Sequence, residues 1–396
     1  MASEREVVVL SGVRTAIGDY GGALKDVAPT ELSAQVIREA VKRAKVDAKE
    51  VGACVIGNVI HTEAKDMYFS RVAALKGGLP DDSTALTVNR LCGSGLQAIV
   101  SASQMILLGD SDIAVGGGAE SMSRGAYVLP SLRWGQRMSD GSVVDMMVGA
   151  LTDPFETVHM GITAENIAEK WKITREQQDE FSVESHRRAI NAIEKGYFKD
   201  QILPVELKTR KGTTVFDRDE HPRADASMEG MAKLRAVFKK DGTVTAANAS
   251  GINDGAAAVV LMERAAAQKK GLKPMARLVS YGIAGVDPKI MGIGPVPASK
   301  KALEKAGLKV DQMDVIESNE AFAVQALAVT CDLKLDARKT NPNGGAVGLG
   351  HPIGATGAVL TVKALYELQR IGGKYALVTM CIGGGQGIAA VFERLH

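Results

Sequence analysis

The sequence is poor in cysteine, with four in 396 residues: Cys54, Cys92, Cys331 and Cys381. No two of them form a C-x-x-C pair, and their wide spacing matches neither a zinc-ligand set nor a disulfide framework. We therefore expect reduced thiols and no metal site. Cys54 falls in a short apolar strand pattern with no activating residue nearby, so we assign it to core packing.

Long apolar runs are also lacking. The N-terminal residues lead into only four strongly apolar residues, Val7 to Leu10, which is too short for the core of a signal peptide. No stretch approaches the roughly 18 apolar residues of a membrane span. The C-terminal Arg394-Leu395-His396 is not a peroxisomal tripeptide. These absences predict a cytoplasmic protein with no membrane partner.

The chain has little net charge, because 48 basic residues nearly balance 46 acidic ones to give a formal charge of +2. This balance argues against a nucleic-acid partner but allows local basic patches for an anionic ligand, such as Arg223 and the lysines near it. The 45% hydrophobic and 24% charged residues are typical of a folded globular chain. A chain of this length is expected to split into two or three domains.

Strand and helix patterns alternate up to residue 119 and again after residue 250, which predicts an α/β fold with covered sheets. Residues 120–249 instead carry polar loops and long charged helical patterns, at 163–172 and 175–195, as an insertion would. The alternating parts also resemble each other, since apolar strand patterns at 113–115 and 375–380 each end in a glycine triplet. We infer two duplicated halves. The predicted domains are an N-terminal half (1–119 and 250–272), an inserted loop domain (120–249) and a C-terminal half (273–396).

Cys92 lies in Asn89-Arg90-Leu91-Cys92-Gly93-Ser94-Gly95, directly before an apolar helical pattern from Leu96 to Leu108. Backbone N–H groups and the positive end of a helix dipole stabilise a thiolate at such a position, so we expect a lowered thiol pKa. The alternative is a small buried side chain at a helix start. Residues far downstream in the sequence favour the interpretation of Cys92 as a nucleophile.

If the halves pack symmetrically, the helix start at His351 faces that at Cys92, with Asn319 and Cys381 on neighbouring loops. A neutral imidazole at His351 can accept the Cys92 proton. Acyl transfer by Cys92 and His351 does not require Cys381. A carbon–carbon bond-forming reaction does need a further base, because a proton alpha to a thioester must be removed.

Four segments together resemble the signature motifs of the thiolase family, in family order across the whole chain. They are Asn89 to Gly95, Asn319-Glu320-Ala321-Phe322, Gly350-His351-Pro352-Ile353-Gly354 and Cys381-Ile382-Gly383-Gly384-Gly385-Gln386-Gly387. Within the family, the match is nearest to bacterial acetyl-CoA acetyltransferases and the biosynthetic beta-ketothiolases of polyhydroxyalkanoate pathways. Gln386, where many members have Met, and Ser318, where Ala is common, leave the subfamily open.

The resemblance implies a thiolase-like five-layered αβαβα fold, with the insertion as a coenzyme A-binding loop domain. It implies reversible Claisen condensation of two acyl-CoA molecules by a ping-pong mechanism through an acyl-Cys92 intermediate. His351 would activate Cys92, and Cys381 would be the acid/base at the alpha carbon. Asn319, through a water, would join His351 in one oxyanion hole, and the N–H groups of Cys92 and Gly383 would form the other.

Coenzyme A thioesters would be substrate and product, with no permanently bound cofactor. The positions matching family residues along the coenzyme tunnel are His159, Met160, Arg223 and Ser250. The loop from Leu129 to Arg137 places Leu and Trp among arginines and resembles the loop through which short-chain thiolases form homotetramers.

Three alternatives stay open. A degradative 3-ketoacyl-CoA thiolase of broader chain length would share every motif. A decarboxylating condensing enzyme of the ketosynthase type would be expected to carry histidine or asparagine where Cys381 stands. A non-catalytic acyl-CoA-binding relative would be expected to lose Cys92 or His351, and both are present.

Overall fold

The computed structural model describes residues 5–209 and 212–396. Arg210 and Lys211, part of the predicted basic character of the insertion, lie outside this range. The strands are β1 (Val7–Thr15), β2 (Gly18–Asp19), β3 (Ala53–Gly57), β4 (Thr84–Val88), β5 (Ile113–Ser121), β6 (Tyr127–Val128), β7 (Val144–Asp145), β8 (Ile202–Leu203), β9 (Val205–Thr209), β10 (Gly212–Phe216), β11 (Asn253–Glu263), β12 (Ala276–Gly285), β13 (Val315–Ser318), β14 (Tyr375–Ile382) and β15 (Gln386–Arg394).

The α-helices of the same described residues are α1 (Pro29–Ala44), α2 (Phe69–Lys76), α3 (Ser94–Leu108), α4 (Met146–Ala150), α5 (Met160–Trp171), α6 (Arg175–Glu194), α7 (Met228–Ala232), α8 (Arg264–Lys269), α9 (Pro295–Ala306), α10 (Ala323–Leu333), α11 (Ala346–Leu349) and α12 (Ile353–Ile371).

Two sheets of the same design form the centre. The first has the order β4-β3-β5-β11-β1 and the second β12-β15-β14-β13, and a short pairing of β1 with β12 joins them. In the first sheet β3 and β5 are parallel, and β11 runs antiparallel to both β5 and β1. In the second, β13 and β14 are parallel, and β15 runs antiparallel to both β14 and β12. The matching order and direction confirm the predicted duplication.

Helices α3 and α12 pack against each other between the sheets, because α3 contacts β3 and β5 while α12 contacts strands of both halves. Their backbones approach closely at Gly95 and Gly357. A Cβ at Gly357 would lie 2.3 Å from the backbone nitrogen of Leu96, so a larger residue would push the helices apart. With α1 and α2 on the first sheet and α9 on the second, the result is the predicted five-layered arrangement.

One prediction about the glycine triplets was wrong. β5 does not end with its glycine triplet at 116–118 but continues to Ser121, whereas β14 ends at Ile382, just before its triplet. The reason is packing: a Cβ at Gly118 would lie 2.2 Å from the carbonyl oxygen of Gly354, so bare backbone is needed within the strand.

The expectation about apolar stretches also needs correction. The stretch Leu91–Leu108, which includes α3, is long and apolar enough to cross a membrane by length and composition, with a mean hydropathy of 1.5 over 18 residues. Of this stretch, 56% is buried inside the protein. Packing against α12 and the sheets explains the apolar character, because a helix covered on most sides needs no polar stripe.

The insertion is helical as predicted. The patterns expected at 163–172 and 175–195 form α5 and α6, and α6 begins with a capping box in which Thr174 and Gln177 cap each other's backbone. Both helices pack against α10 of the C-terminal half. After the insertion the chain returns to the first sheet as β11. The domain boundaries near 120, 250 and 272 stay predictions.

Candidate active site

Cys92 lies in a tight turn between β4 and α3, and α3 begins two residues later, at Ser94. The turn is closed by the hydroxyl of Ser94, which donates to the carbonyl of Leu91 at 2.6 Å and accepts from the N–H of Arg90 at 2.9 Å. Leu91 has a φ of +42°, in the left-handed region that a branched side chain rarely adopts. The backbone is therefore held in a costly conformation that presents Cys92 to a cavity.

The expected lowering of the Cys92 pKa was wrong. Burial raises the pKa of the Cys92 thiol to about 11, and the negative charge of Glu120 adds to the rise. Hydrogen bonds from the backbone N–H groups of Gly383 and of Cys92 itself act in the opposite direction but are outweighed. Cys92 is therefore a neutral thiol at rest, and its reaction needs a base.

His351 lines the same cavity as Cys92 and has the protonation state that a base requires. Its Nδ1 lies 2.7 Å from the hydroxyl oxygen of Thr356, and that hydroxyl donates its own proton to the carbonyl of Pro352 at 2.9 Å. The Thr356 oxygen is then an acceptor toward the ring, which assigns the proton to Nδ1 and leaves Nε2 as an acceptor. Burial lowers the pKa of His351 to about 4, so the imidazole is neutral near pH 7.

Asn319 contacts the free nitrogen of this ring. It follows β13, its backbone N–H donates to the carbonyl of Thr379 at 2.9 Å, and its Nδ2 lies 3.4 Å from Nε2 of His351. Its Oδ1 is buried and has no hydrogen-bond partner among the described residues. Asn319 and His351 therefore present one amide acceptor and one imidazole nitrogen side by side.

Cys381 lies within β14, one residue before its end, and not on a loop as predicted. Its side chain is fully buried, and burial raises the pKa of its thiol well above the ordinary value. A charge on Cys92 would raise this pKa further, so the two thiols are close enough to interact. Cys381 is accordingly a neutral thiol, suited to donating a proton.

A cavity of about 400 Å³ opens onto Cys92, His351 and Gly383. A Cβ at Gly383 would lie 2.8 Å from the Cε of Met160, so a larger residue there would displace the end of the Met160 side chain that lines the cavity. Of the predicted coenzyme residues, His159, Met160 and Ser250 line this cavity, and the imidazole of His159 stacks on Phe238 with ring centroids 4.5 Å apart. Cys381 and Asn319 are not among its lining residues.

Arg223 does not line this cavity. It lines a neighbouring recess with His186 and His221, and this recess shares Ala246 and Ala249 with the cavity. The Arg223 side chain is 63% exposed, and its guanidinium lies 3.6 Å from a carboxylate oxygen of Asp19. The recess therefore offers a cation at the outer end of a mainly apolar channel.

Four residues of the site were missed from the sequence: Thr356, Phe238, Glu120 and Asn253. Thr356 fixes the tautomer of His351, and Phe238 stacks on His159. Asn253 and Glu120 hold the backbone around His351. Thr356 carries a local signal, since it follows His351 by five residues at the start of α12. The other contacts join distant parts of the chain.

Comparison with known proteins identifies the family. Residues 7–265 match the thiolase N-terminal domain and residues 272–394 the thiolase C-terminal domain. The chain is 68% identical to the beta-ketothiolase BktB of Cupriavidus necator over 99% of this chain and 100% of that one. It is 51% identical to an acetyl-CoA acetyltransferase of Syntrophomonas wolfei over 99% and 100%.

Comparison with solved structures gives the same family. The acetyl-CoA acetyltransferase of Bacillus anthracis superimposes with a TM-score of 0.98 and 49% identity, covering 100% of both chains. Human mitochondrial 3-ketoacyl-CoA thiolase in complex with CoA superimposes with a TM-score of 0.96 and 45% identity, again over 100% of both. The chain has the thiolase fold and belongs to the thiolase family.

Proposed function

We propose that the protein is an acyltransferase that interconverts two acetyl-CoA with acetoacetyl-CoA and CoA, and that it also accepts somewhat longer acyl groups such as 3-ketovaleryl-CoA. The observation that carries the proposal is the protonation pattern of the site. The neutral thiol of Cys92 shares a cavity with a neutral imidazole whose Nε2 is an acceptor, and the buried neutral thiol of Cys381 lies close enough to interact with Cys92.

In the thiolysis direction, Cys92 gives its proton to Nε2 of His351 and its sulfur attacks the 3-keto carbon of acetoacetyl-CoA. The bond between C2 and C3 breaks, and C2 takes a proton from the Cys381 thiol, releasing acetyl-CoA and leaving acetyl-Cys92. The imidazolium of His351 then returns a proton to the Cys381 thiolate. CoA attacks acetyl-Cys92, and its thiol proton goes through His351 to Cys92. Condensation is the same sequence reversed.

Two sets of donors would stabilise the oxyanions of these steps. One set would be a water held by Asn319 and the N–H that His351 gains at Nε2 when it takes the proton of Cys92. The N–H groups of Cys92 and Gly383, which both act on the Cys92 sulfur, would form the other.

The experiment that tests this function is thiolysis of a series of 3-ketoacyl-CoA substrates from four to twelve carbons. Cys92 packs against a small apolar cluster of Ile60, Met122, Met147 and Ile353, in which methionines adapt to different shapes. We expect the highest kcat/KM at four to five carbons and a decline beyond. A maximum at eight carbons or more would favour the degradative alternative, and no thiolysis of any substrate would refute the proposal.

The coenzyme would lie along the cavity, with its arm against His159, Met160 and Ser250 and its phosphates toward Arg223 in the recess. Phosphates bound by an exposed cation are screened by salt. The KM for acetoacetyl-CoA should therefore rise between about 50 and about 300 mM salt. The KM for the acetoacetyl thioester of pantetheine, which has no phosphates, should stay constant. Equal responses of the two substrates would remove Arg223 from the phosphate site.

For assembly we propose a homotetramer. The loop between β6 and β7 exposes Leu129, Leu132 and Trp134, which are 48%, 60% and 86% exposed. Apolar side chains clustered at a hairpin tip indicate a protein contact. Light scattering at micromolar concentration should give a tetramer mass, and Trp134→Ala should shift it toward the dimer. A dimer mass for the unaltered protein would contradict the proposal. A cytoplasmic location stays a prediction.

A further inference from the structure

Glu120 is a fully buried carboxylate at the end of β5 that joins the two halves of the protein. Its Oε1 accepts from the N–H of Ile60 and the side-chain amide of Asn58, each at 3.1 Å. Its Oε2 accepts from the N–H of Val59 at 3.1 Å and of Gly354 at 2.9 Å. All four partners are donors, a set that suits an ionised carboxylate. Burial nevertheless raises the pKa of Glu120 to about 8, so the charge is fully present only at alkaline pH.

These partners lie on both sides of the reaction centre. Asn58, Val59 and Ile60 form the loop after β3, and Ile60 belongs to the apolar cluster that packs on Cys92. Gly354 is in the first turn of α12, three residues after His351. One carboxylate thus ties the surroundings of the proposed nucleophile to the segment that carries the proposed base.

Asn253, at the start of β11, holds the same segment at its other end. Its Oδ1 accepts from the backbone N–H of His351 at 2.8 Å. Its Nδ2 donates to the carbonyl of Gly18 at 3.1 Å and to a carboxylate oxygen of Asp19 at 3.2 Å, which fixes the amide orientation. The backbone from His351 to Gly354 is therefore held at both ends by buried side chains of neighbouring strands.

The two glycines that flank this segment fit the same arrangement. A Cβ at Gly350 would lie 2.5 Å from Cγ of Asn253, and a Cβ at Gly354 would lie 2.5 Å from Oε2 of Glu120. Gly350 also has a φ of +104°, which favours glycine. At both positions the absence of a side chain leaves room for a polar group to hydrogen-bond to the backbone.

We propose that Glu120 and Asn253 are positioning residues that clamp residues 351–354 and so set His351 against Cys92. This inference rests on the proposed function, in which Cys92 is the nucleophile and His351 its base. A shift of about 1 Å in a reacting group costs about 100-fold in rate, so loosening either end of the clamp is expected to affect turnover more than substrate binding.

The test is Glu120→Gln, which keeps size but places an amide N–H₂ against N–H donors. We expect kcat for acetoacetyl-CoA thiolysis to fall about 10- to 100-fold, with KM within about twofold. The ionisable groups whose charges couple to Glu120 are Asp254 on β11 and Cys92. Removing the negative charge should lower the pKa of Cys92, so alkylation of Cys92 by iodoacetamide at pH 8 to 9 should become about threefold faster.

Asp66→Asn is the matched control. Asp66 is another fully buried carboxylate that accepts backbone N–H groups, those of Thr62 and Glu63, but it contacts neither Gly354 nor Cys92. Both kcat and Cys92 alkylation should stay within about twofold of wild type. Asn253→Ala is the second variant: it should lower kcat as Glu120→Gln does, with Cys92 alkylation unchanged because no charge is removed.

Turnover that falls while Cys92 alkylation is maintained or accelerated supports the clamp. A kcat within twofold of wild type in both variants would overturn it, as would a fall in kcat that is fully accounted for by loss of folded protein in thermal unfolding. The wild-type thiolysis rate tests the proposed function separately, because the clamp is judged only from ratios of variant to wild type.

Discussion

Replacing Cys381 with alanine is expected to slow thiolysis of acetoacetyl-CoA by about two to four orders of magnitude, the usual contribution of a positioned acid/base. Cys381 is a neutral thiol next to Cys92, so it can protonate the carbanion released when the bond between C2 and C3 breaks. Alanine offers no proton there. Acetylation of Cys92 by acetyl-CoA needs no such proton, so its rate should stay within about threefold of wild type.

The control for this variant is Cys54→Ala. Cys54 is as fully buried as Cys381 and the substitution removes the same sulfur, but Cys54 lies in β3 within the main hydrophobic core. Thiolysis by Cys54→Ala should stay within about threefold of wild type once loss of folded protein is accounted for. If the two variants lost thiolysis activity equally, Cys381 would have no chemical role.

The second large effect is expected from His351→Ala, which should slow both acetylation of Cys92 and thiolysis by at least about two orders of magnitude. The Cys92 thiol has a pKa of about 11, so near pH 7 it reacts only when its proton is taken by a base. The substitution would also remove the oxyanion donor that we propose beside Asn319. Stopped-flow measurement of acetylation separates the first effect from later steps.

The pH dependence adds a test of the base. His351 has a pKa of about 4, below the ordinary value, so its imidazole stays the neutral acceptor down to about pH 5. Wild-type acetylation should therefore not decline through pH 6.5 as it would with an ordinary histidine. A tenfold loss per unit below pH 6.5 would contradict a buried neutral His351. His61→Ala, which removes an imidazole outside the cavity, should leave the rate unchanged.

Local patterns predicted much of the fold. The apolar periodicity from Leu96 to Leu108 predicted α3. The ends of the insertion helices α5 and α6 were predicted to within about three residues. The repeated strand and helix patterns predicted the duplication, which is enough to bring the helix starts at Cys92 and His351 to the same cavity. These features depend on residues close in the sequence.

The electrostatics could not be predicted in the same way. The expected thiolate at Cys92 followed from its place near a helix start, but desolvation by side chains from distant segments outweighs the nearby N–H groups. The hydrogen bond from Gly354 to Glu120 likewise joins residues 234 apart in sequence, and that from His351 to Asn253 joins residues 98 apart. No local pattern records such contacts.

The most direct test of the account is peptide mass spectrometry of the Cys381→Ala protein after incubation with acetyl-CoA alone. We predict a stable acetyl group on the peptide that contains Cys92, protection of that thiol from iodoacetamide, and no adduct in Cys92→Ala. Acetylation needs only the nucleophile and its base, so the acetylated form of the variant should accumulate. An acetyl group on Cys381 in the wild type, with none on Cys92, would contradict the account by reversing the two thiols.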